Sequence, residues 1–342
     1  MMSTEQDFTL EDPTETTSVE IAHTTGSTVT SSSRGAGFYF HCAYFVVGIV
    51  GAAVNGLVLY AMIASKQHKK HVLIFNQNVF DLVNCLFVIV RFSVILGNVY
   101  LSGTSGYLLC LTILSGAGSS VAYSGSQINL AAISIERYLK VVHHTWAKKN
   151  LRDWMIYSAI VFAWISGIAI AAAVIIPTTA VVYGVCYTSF FSSTAGRKIY
   201  AFWDFLSFYA IIFLIFIFCY GRILMVIRRQ AKVMAAHGTG GSNTAQDQSN
   251  KIQTSVIKTM ILVSGLYAVT WAPLYIYDLH LNVHSELMMD EKGLYAVLAI
   301  AYLYVCINPF IYVTKFNPVK RVLLGLIPCK KNTQPPESVD NT

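Results

Sequence analysis

The chain has 342 residues, 55% of them hydrophobic and only 12% charged, with a formal net charge of +7. A soluble domain carries about a quarter charged residues, so this composition excludes an ordinary water-soluble globule and makes lipid the principal solvent. The basic excess is not that of a nucleic-acid binder, because Lys and Arg lie in short gaps between apolar runs, and the seven cysteines form no CxxC or His/Cys cluster of the kind a zinc site or dense disulfide framework needs.

Residues 1–36 are rich in Ser, Thr, Glu and Asp. Such a segment buries too little apolar surface to offset chain entropy, and it is expected to be a disordered tail. No basic start with a following apolar stretch marks a cleavable signal, so the first span is expected to serve as one. No Asn-x-Ser/Thr sequon occurs in the chain.

Crossing the hydrocarbon core takes about 20 mostly apolar residues as a helix. Seven segments qualify, at roughly 38–64, 72–97, 107–140, 153–176, 199–228, 253–281 and 293–314. Between them, Ser65 to His71, Ser102 to Gly106, His143 to Arg152 and His237 to Asn250 read as loops. Of the 24 Lys and Arg residues, 19 fall on the face that follows spans one, three, five and seven. By the positive-inside rule that face is cytoplasmic, which places the N-terminus outside and the C-terminus inside. From Phe316 to Ile327, basic and apolar positions alternate at helical spacing, the pattern of an amphipathic helix on a membrane surface. The expected fold is therefore all-α: a seven-transmembrane helix bundle over 37–315, an amphipathic surface helix over 316–328 and a cytoplasmic tail over 329–342.

Polar groups inside spans are costly and mark function. Asp81 lies near the middle of span two, Glu136-Arg137-Tyr138 ends span three, Thr270-Trp271-Ala272-Pro273 lies on span six, and Asn308-Pro309-Phe310-Ile311-Tyr312 closes span seven. A proline inside a helix removes a backbone hydrogen bond and creates a bend on which a half-helix can swing. Arg137 can pair with Glu136 in a closed bundle and be released to a protein partner in an open one. Four motifs in this order resemble the rhodopsin-like family of G-protein-coupled receptors, over about residues 38–330. Trp164 on span four, and Asn55 on span one as a partner for Asp81, fit the same pattern.

The resemblance implies an extracellular ligand, a heterotrimeric G protein as partner, arrestin as a further one, and a multi-pass protein of the plasma membrane in contact with lipid. It implies no resident cofactor beyond an allosteric sodium ion, held by Asp81 with Ser126, Trp271 and Asn308. Its switch positions fall on Glu136, Arg137, Tyr138, Tyr220, Trp271, Pro273, Asn308, Pro309 and Tyr312. It implies a disulfide between Cys110 and Cys186, with Cys42 as a competitor, and a palmitoylation site at Cys329.

The chain also departs from the family. Ile212 stands where span five usually bears proline, which leaves the local bulge of that helix open. The acidic partner for Arg137 is missing at the base of span six, where Lys251, Gln253 and Lys258 lie, so raised ligand-free signalling is expected. Cys110 precedes Arg137 by 27 residues, a longer separation than usual, so the outer end of span three is expected to be distorted. Tyr304 replaces a common asparagine beside the ion site and weakens the case for sodium.

Ser119 occupies the place of the aspartate that pairs with monoamines, and Tyr302 the region of the retinal-binding lysine, so both ligand classes are disfavoured. Arg91, Asp204 and Asp278 lie in the outer halves of spans two, five and six, where they face a wet cavity or bridge to one another. With Tyr123, Trp203, Tyr275 and Tyr302 as walls, such a cavity suits a peptide or a zwitterionic small molecule. The competing reading is a seven-helix ion channel, transporter or pump, but no internal repeat is found. No Ser/His/Asp set, metal cluster or phosphate-binding glycine loop suggests an enzyme.

Overall fold

A computed structural model describes residues 36–188, 193–236, 245–283, 291–315 and 317–326. Among these, seven helices are long and apolar enough to cross a membrane. Span one is Ala36–Ala64 and span two Val72–Leu96. Span three runs through Gly103–Leu109, a π-helical turn Cys110–Leu114, and Ala117–Val142. Span four is Asp153–Ile170, prolonged by a π turn Ala171–Ile175. Span five joins Thr194–Asp204, a π segment Phe205–Ala210 and Ile211–Ala236. Spans six and seven are Ala245–Val283 and Glu291–Lys315, with Pro273 and Pro309 inside them. A short helix, Asn317–Leu326, follows where the amphipathic segment is expected.

The bundle is apolar on its flanks, and its interior combines an apolar core with buried polar side chains kept away from lipid. Phe162, Leu214 and Val269 are exposed on the flanks, whereas Asn55, Gln77, Asn78, Asn129 and Asn308 are fully buried. Close approach of spans three and four depends on Gly167, where a Cβ would lie 2.4 Å from the Val121 carbonyl oxygen. Small residues at such crossings let backbones touch in the absence of any hydrophobic drive between helices.

The longer separation between Cys110 and Arg137 is absorbed in the helix itself. Ser115 N–H donates to the Cys110 carbonyl (2.8 Å), an i to i−5 bond that accommodates an extra residue. Gly116 then turns the chain with φ 77°, and Ser115 Oγ accepts from Ala117 N (3.1 Å) to restart the helix. The bulge of span five forms over Phe205–Ala210 although Ile212 replaces proline, so another interaction maintains it.

All four expected loops prove partly helical, with a 3-10 turn at Gln67–Lys69 and span six already begun at Ala245. Gly103 already starts span three, and His144–Asn150 forms a short helix between spans three and four. Beyond span four, Ala180–Val182 and Val185–Tyr187 pair antiparallel as a hairpin. Its two-residue turn places Tyr183 and Gly184 both at positive φ, the backbone shape that matches strand twist. Val181 faces Cys186 in the register, and Cys186 is bonded to Cys110, so the hairpin is tied to the outer start of span three. Cys42 is a free thiol. The expected tails, Cys329 and Phe316 lie outside the described residues, and so does the Tyr312 side chain.

Candidate functional site: a polar axis through the bundle

Three polar centres lie along the bundle, and the first is at the disulfide end. Gly116 opens room for a neighbour there, since a Cβ on it would sit 2.9 Å from Arg91 Nη1. Arg91 Nε is buried with no hydrogen-bond partner, and Tyr302 stands in the field of its charge. Across the bundle, Asp204 of span five and Asp278 of span six are within electrostatic reach of each other and of Tyr123. Among the described residues, neither carboxylate makes an ion pair with Arg91. The expected alternative, a structural bridge between them, is thus absent, and the two signs of charge are held apart. Ser119 is buried one turn from Tyr123 on the same face of span three. Tyr302 packs against Tyr44 (centroids 5.4 Å apart), while Trp203 is largely exposed and meets Phe208 edge-on.

The second centre surrounds Asp81, which is 3% exposed. Ser126 Oγ donates to its Oδ1 (3.5 Å) and Asn308 Nδ2 to its Oδ2 (3.3 Å). The cavity beside it is lined by Asn84, Ser126, Trp271 and Tyr304 among others. Asn84 Oδ1, Asn308 Oδ1, Tyr304 Oη and Trp271 Nε1 are buried there without protein partners. Oxygens with free lone pairs beside a carboxylate can hold a hard cation or ordered water. Trp271 offers only an N–H donor, so it is a wall of this cavity and not a cation ligand. Asn55 does not reach Asp81. Its Nδ2 donates to the Gly51 and Val305 carbonyls instead, joining spans one and seven.

The third centre lies at the Arg137 end. Arg137 Nη2 is 3.4 Å from Glu136 Oε2, and Lys140 shares the same carboxylate. Arg137 Nη2 also lies 3.4 Å from His71 Nδ1, at the N-terminal edge of span two. Tyr220 of span five bonds Ser134 of span three (2.9 Å) and accepts from Ser264 of span six (3.3 Å). Tyr138 bonds His143 (3.0 Å).

Several participants are neutral amides that sequence reasoning did not single out. Trp164 donates to Asn76 (3.2 Å), Asn76 to Asn129 (3.0 Å), and Asn129 to Gln77 (2.9 Å), whose amide nitrogen contacts Ser126. This chain links span four to the Asp81 centre through spans two and three. The signal was available, because an amide in a membrane helix carries the same demand for partners as a charge, at lower cost.

Residues 54–312 match the family model described as 7 transmembrane receptor (rhodopsin family). Sphingosine 1-phosphate receptor 1 of Danio rerio is 27% identical over 70% of this chain and 65% of its own length. Melanopsin-A of Gadus morhua is 22% identical over 89% of this chain and 55% of its own. Melanin-concentrating hormone receptor 1 of Macaca mulatta is 26% identical over 83% of this chain and 78% of its own. The chain therefore spans between about half and four fifths of the length of these relatives.

Proposed function

This chain belongs to the rhodopsin family of seven-transmembrane receptors, and we propose that it binds a peptide or small zwitterionic molecule at its disulfide end and activates a heterotrimeric G protein at its Arg137 end. The observation that carries the ligand class is the separation of Arg91 from the Asp204 and Asp278 carboxylates without an ion pair between them. Half-buried charges held apart need partners, and a ligand with both signs supplies them. The positive-inside rule favours a cytosolic Arg137 end, and a receptor for an extracellular ligand would act at the plasma membrane. Ligand binding then favours a bundle in which Arg137 leaves Glu136 and His71 and meets the G protein, a population shift that needs no covalent chemistry. Arrestin would meet the same face.

Two ancillary groups belong to this reading. A sodium ion, held by Asp81 and Ser126 with Asn84 or Asn308 oxygens nearby, would neutralise the buried carboxylate and favour the closed bundle. The surface helix exposes Lys320 and Arg321, which suits anionic lipid, and palmitate on Cys329 would anchor its end.

The test is a G-protein activation screen with peptides and amino-acid derivatives, repeated on Arg91→Ala, Asp204→Asn and Asp278→Asn. Agonist potency is expected to fall at least about tenfold in each variant at matched surface level, the loss of one charge-assisted contact. Unchanged potency in all three removes the zwitterion reading. Failure of every agonist to speed GDP release from any heterotrimer removes the receptor function.

A further inference from the structure

Gln127 and Tyr275 meet in the middle of the bundle, on spans three and six, and no charge or proline draws attention to either. Gln127 Nε2 lies 2.9 Å and its Oε1 3.1 Å from the Tyr275 hydroxyl. The amide can donate through nitrogen while accepting the phenolic proton through oxygen, so one hydroxyl satisfies both ends of the side chain. Both residues are buried, at 2% and 5% exposure, so the pair is shielded from bulk solvent.

Its position gives it leverage. Tyr275 sits two residues beyond Pro273 and one turn beyond Trp271, with which its ring is in contact at 6.1 Å. On its other side it touches Tyr209 of span five (5.5 Å) and lies in the field of Asp204. Gln127 follows Ser126, which donates to Asp81. One hydrogen-bonded pair thus joins the Asp204 side of span five, the proline hinge and the Asp81 centre.

We propose that the Gln127–Tyr275 pair is the contact that holds span six against span three at its hinge, and that Gln127 is a positioning residue whose release lets span six swing. This rests on the receptor reading for its meaning but not for its test. The bend at Pro273 lacks a backbone hydrogen bond, so side-chain contacts set the angle of the half-helix beyond it. A ligand that draws the Tyr275 hydroxyl toward the Asp204 side breaks both bonds to Gln127 together.

The experiment places trifluoromethyl-phenylalanine at Lys258, an exposed position on the Arg137 side of span six, in the full chain purified into nanodiscs. Fluorine spectra report the populations of span six without ligand or G protein. Gln127→Leu and Tyr275→Phe are each expected to raise the minor population about fivefold, the effect of one net hydrogen bond of about 1 kcal/mol. The double variant should go no further than either single one, and Gln127→Glu, which can still accept from the hydroxyl, should restore most of the parent spectrum. A packing defect would lower melting temperature without this pattern. Parent-like spectra in both single variants, or additive effects in the double one, overturn the proposal. Should the single variants fail to fold, Gln127→Glu still decides it, since a spectrum with the minor population raised as far as loss of the bond predicts counts against the pair. If the spectra shift while no heterotrimer exchanges nucleotide, the latch stands and the receptor reading falls.

Discussion

His71 shows how much a single side chain can depend on its neighbours. Burial is the largest influence on it and the Arg137 cation the next; together with Lys140 and Lys70 they outweigh Glu136 and lower its pKa to about 4. An imidazole that accepts from Arg137 must be neutral, so the resting contact and the lowered pKa express one fact. Because the resting value lies below the ordinary 6.5, this arrangement is fully favoured above pH 6.5 and loses ground as pH falls toward 4. An arrangement in which Arg137 has left and water has entered binds the proton more readily. Acidifying the Arg137 face from pH 7.5 to 6.0 is expected to raise ligand-free nucleotide exchange by up to about fourfold. His71→Gln should flatten that response, and a pH profile that survives the change would assign the effect to another group. The missing acid at the base of span six is thus matched by a histidine just before span two.

At the scale of helices, the three π segments decide where side chains point. Span five bulges over Phe205–Ala210 without proline, and the interactions that accompany the bulge are visible across the groove to span six. Tyr267 donates to the Phe208 carbonyl (2.6 Å) and Tyr209 to the Ala268 carbonyl (3.1 Å), a reciprocal stitch between the two helices. A π turn tilts its carbonyls away from ordinary helical partners and so offers them to such donors. Removing one hydroxyl, in Tyr267→Phe, is expected to lower the stability of the purified protein by about 1 kcal/mol, read from thermal unfolding. A change within error would mean the bulge is held by packing alone. Most span boundaries were legible in the sequence to within about five residues, because hydrocarbon thickness sets a minimum apolar length, but the helices of spans five and six run eight residues further toward each other than expected. The π turns were not, apart from the one implied by the long separation between Cys110 and Arg137, since a bulge depends on partners from other helices.

For the molecule as a whole, the Cys110–Cys186 bridge closes a loop of 76 residues that takes in most of span three, all of span four and the hairpin. The chain-entropy account gives such a closure about 4 kcal/mol of stabilisation. Cys110→Ser is therefore expected to lower surface expression and melting temperature sharply, and Cys42→Ser to leave both near the parent value. Equal loss in both variants would show that Cys42 takes part in the pairing. Part of the candidate site could be read directly: Asp81, Trp271 and Asn308, marked by an intramembrane charge or by a neighbouring helix-bending proline, are buried, and Arg137 is partly buried. Asn55 misled, since an amide on span one can satisfy itself on any carbonyl within reach, and Gly51 and Val305 were closer than Asp81.

The sequence by itself determined the solvent, the number of spans and the residues too polar to face lipid, because these follow from transfer free energies that act residue by residue. Tertiary structure alone decided which polar group meets which: that Arg91 stays clear of the carboxylates, that Gln127 finds Tyr275, and that Arg137 rests on His71. Those choices depend on helix rotation and on bulges of a single residue, and an angstrom of displacement between spans exchanges one hydrogen-bond partner for another.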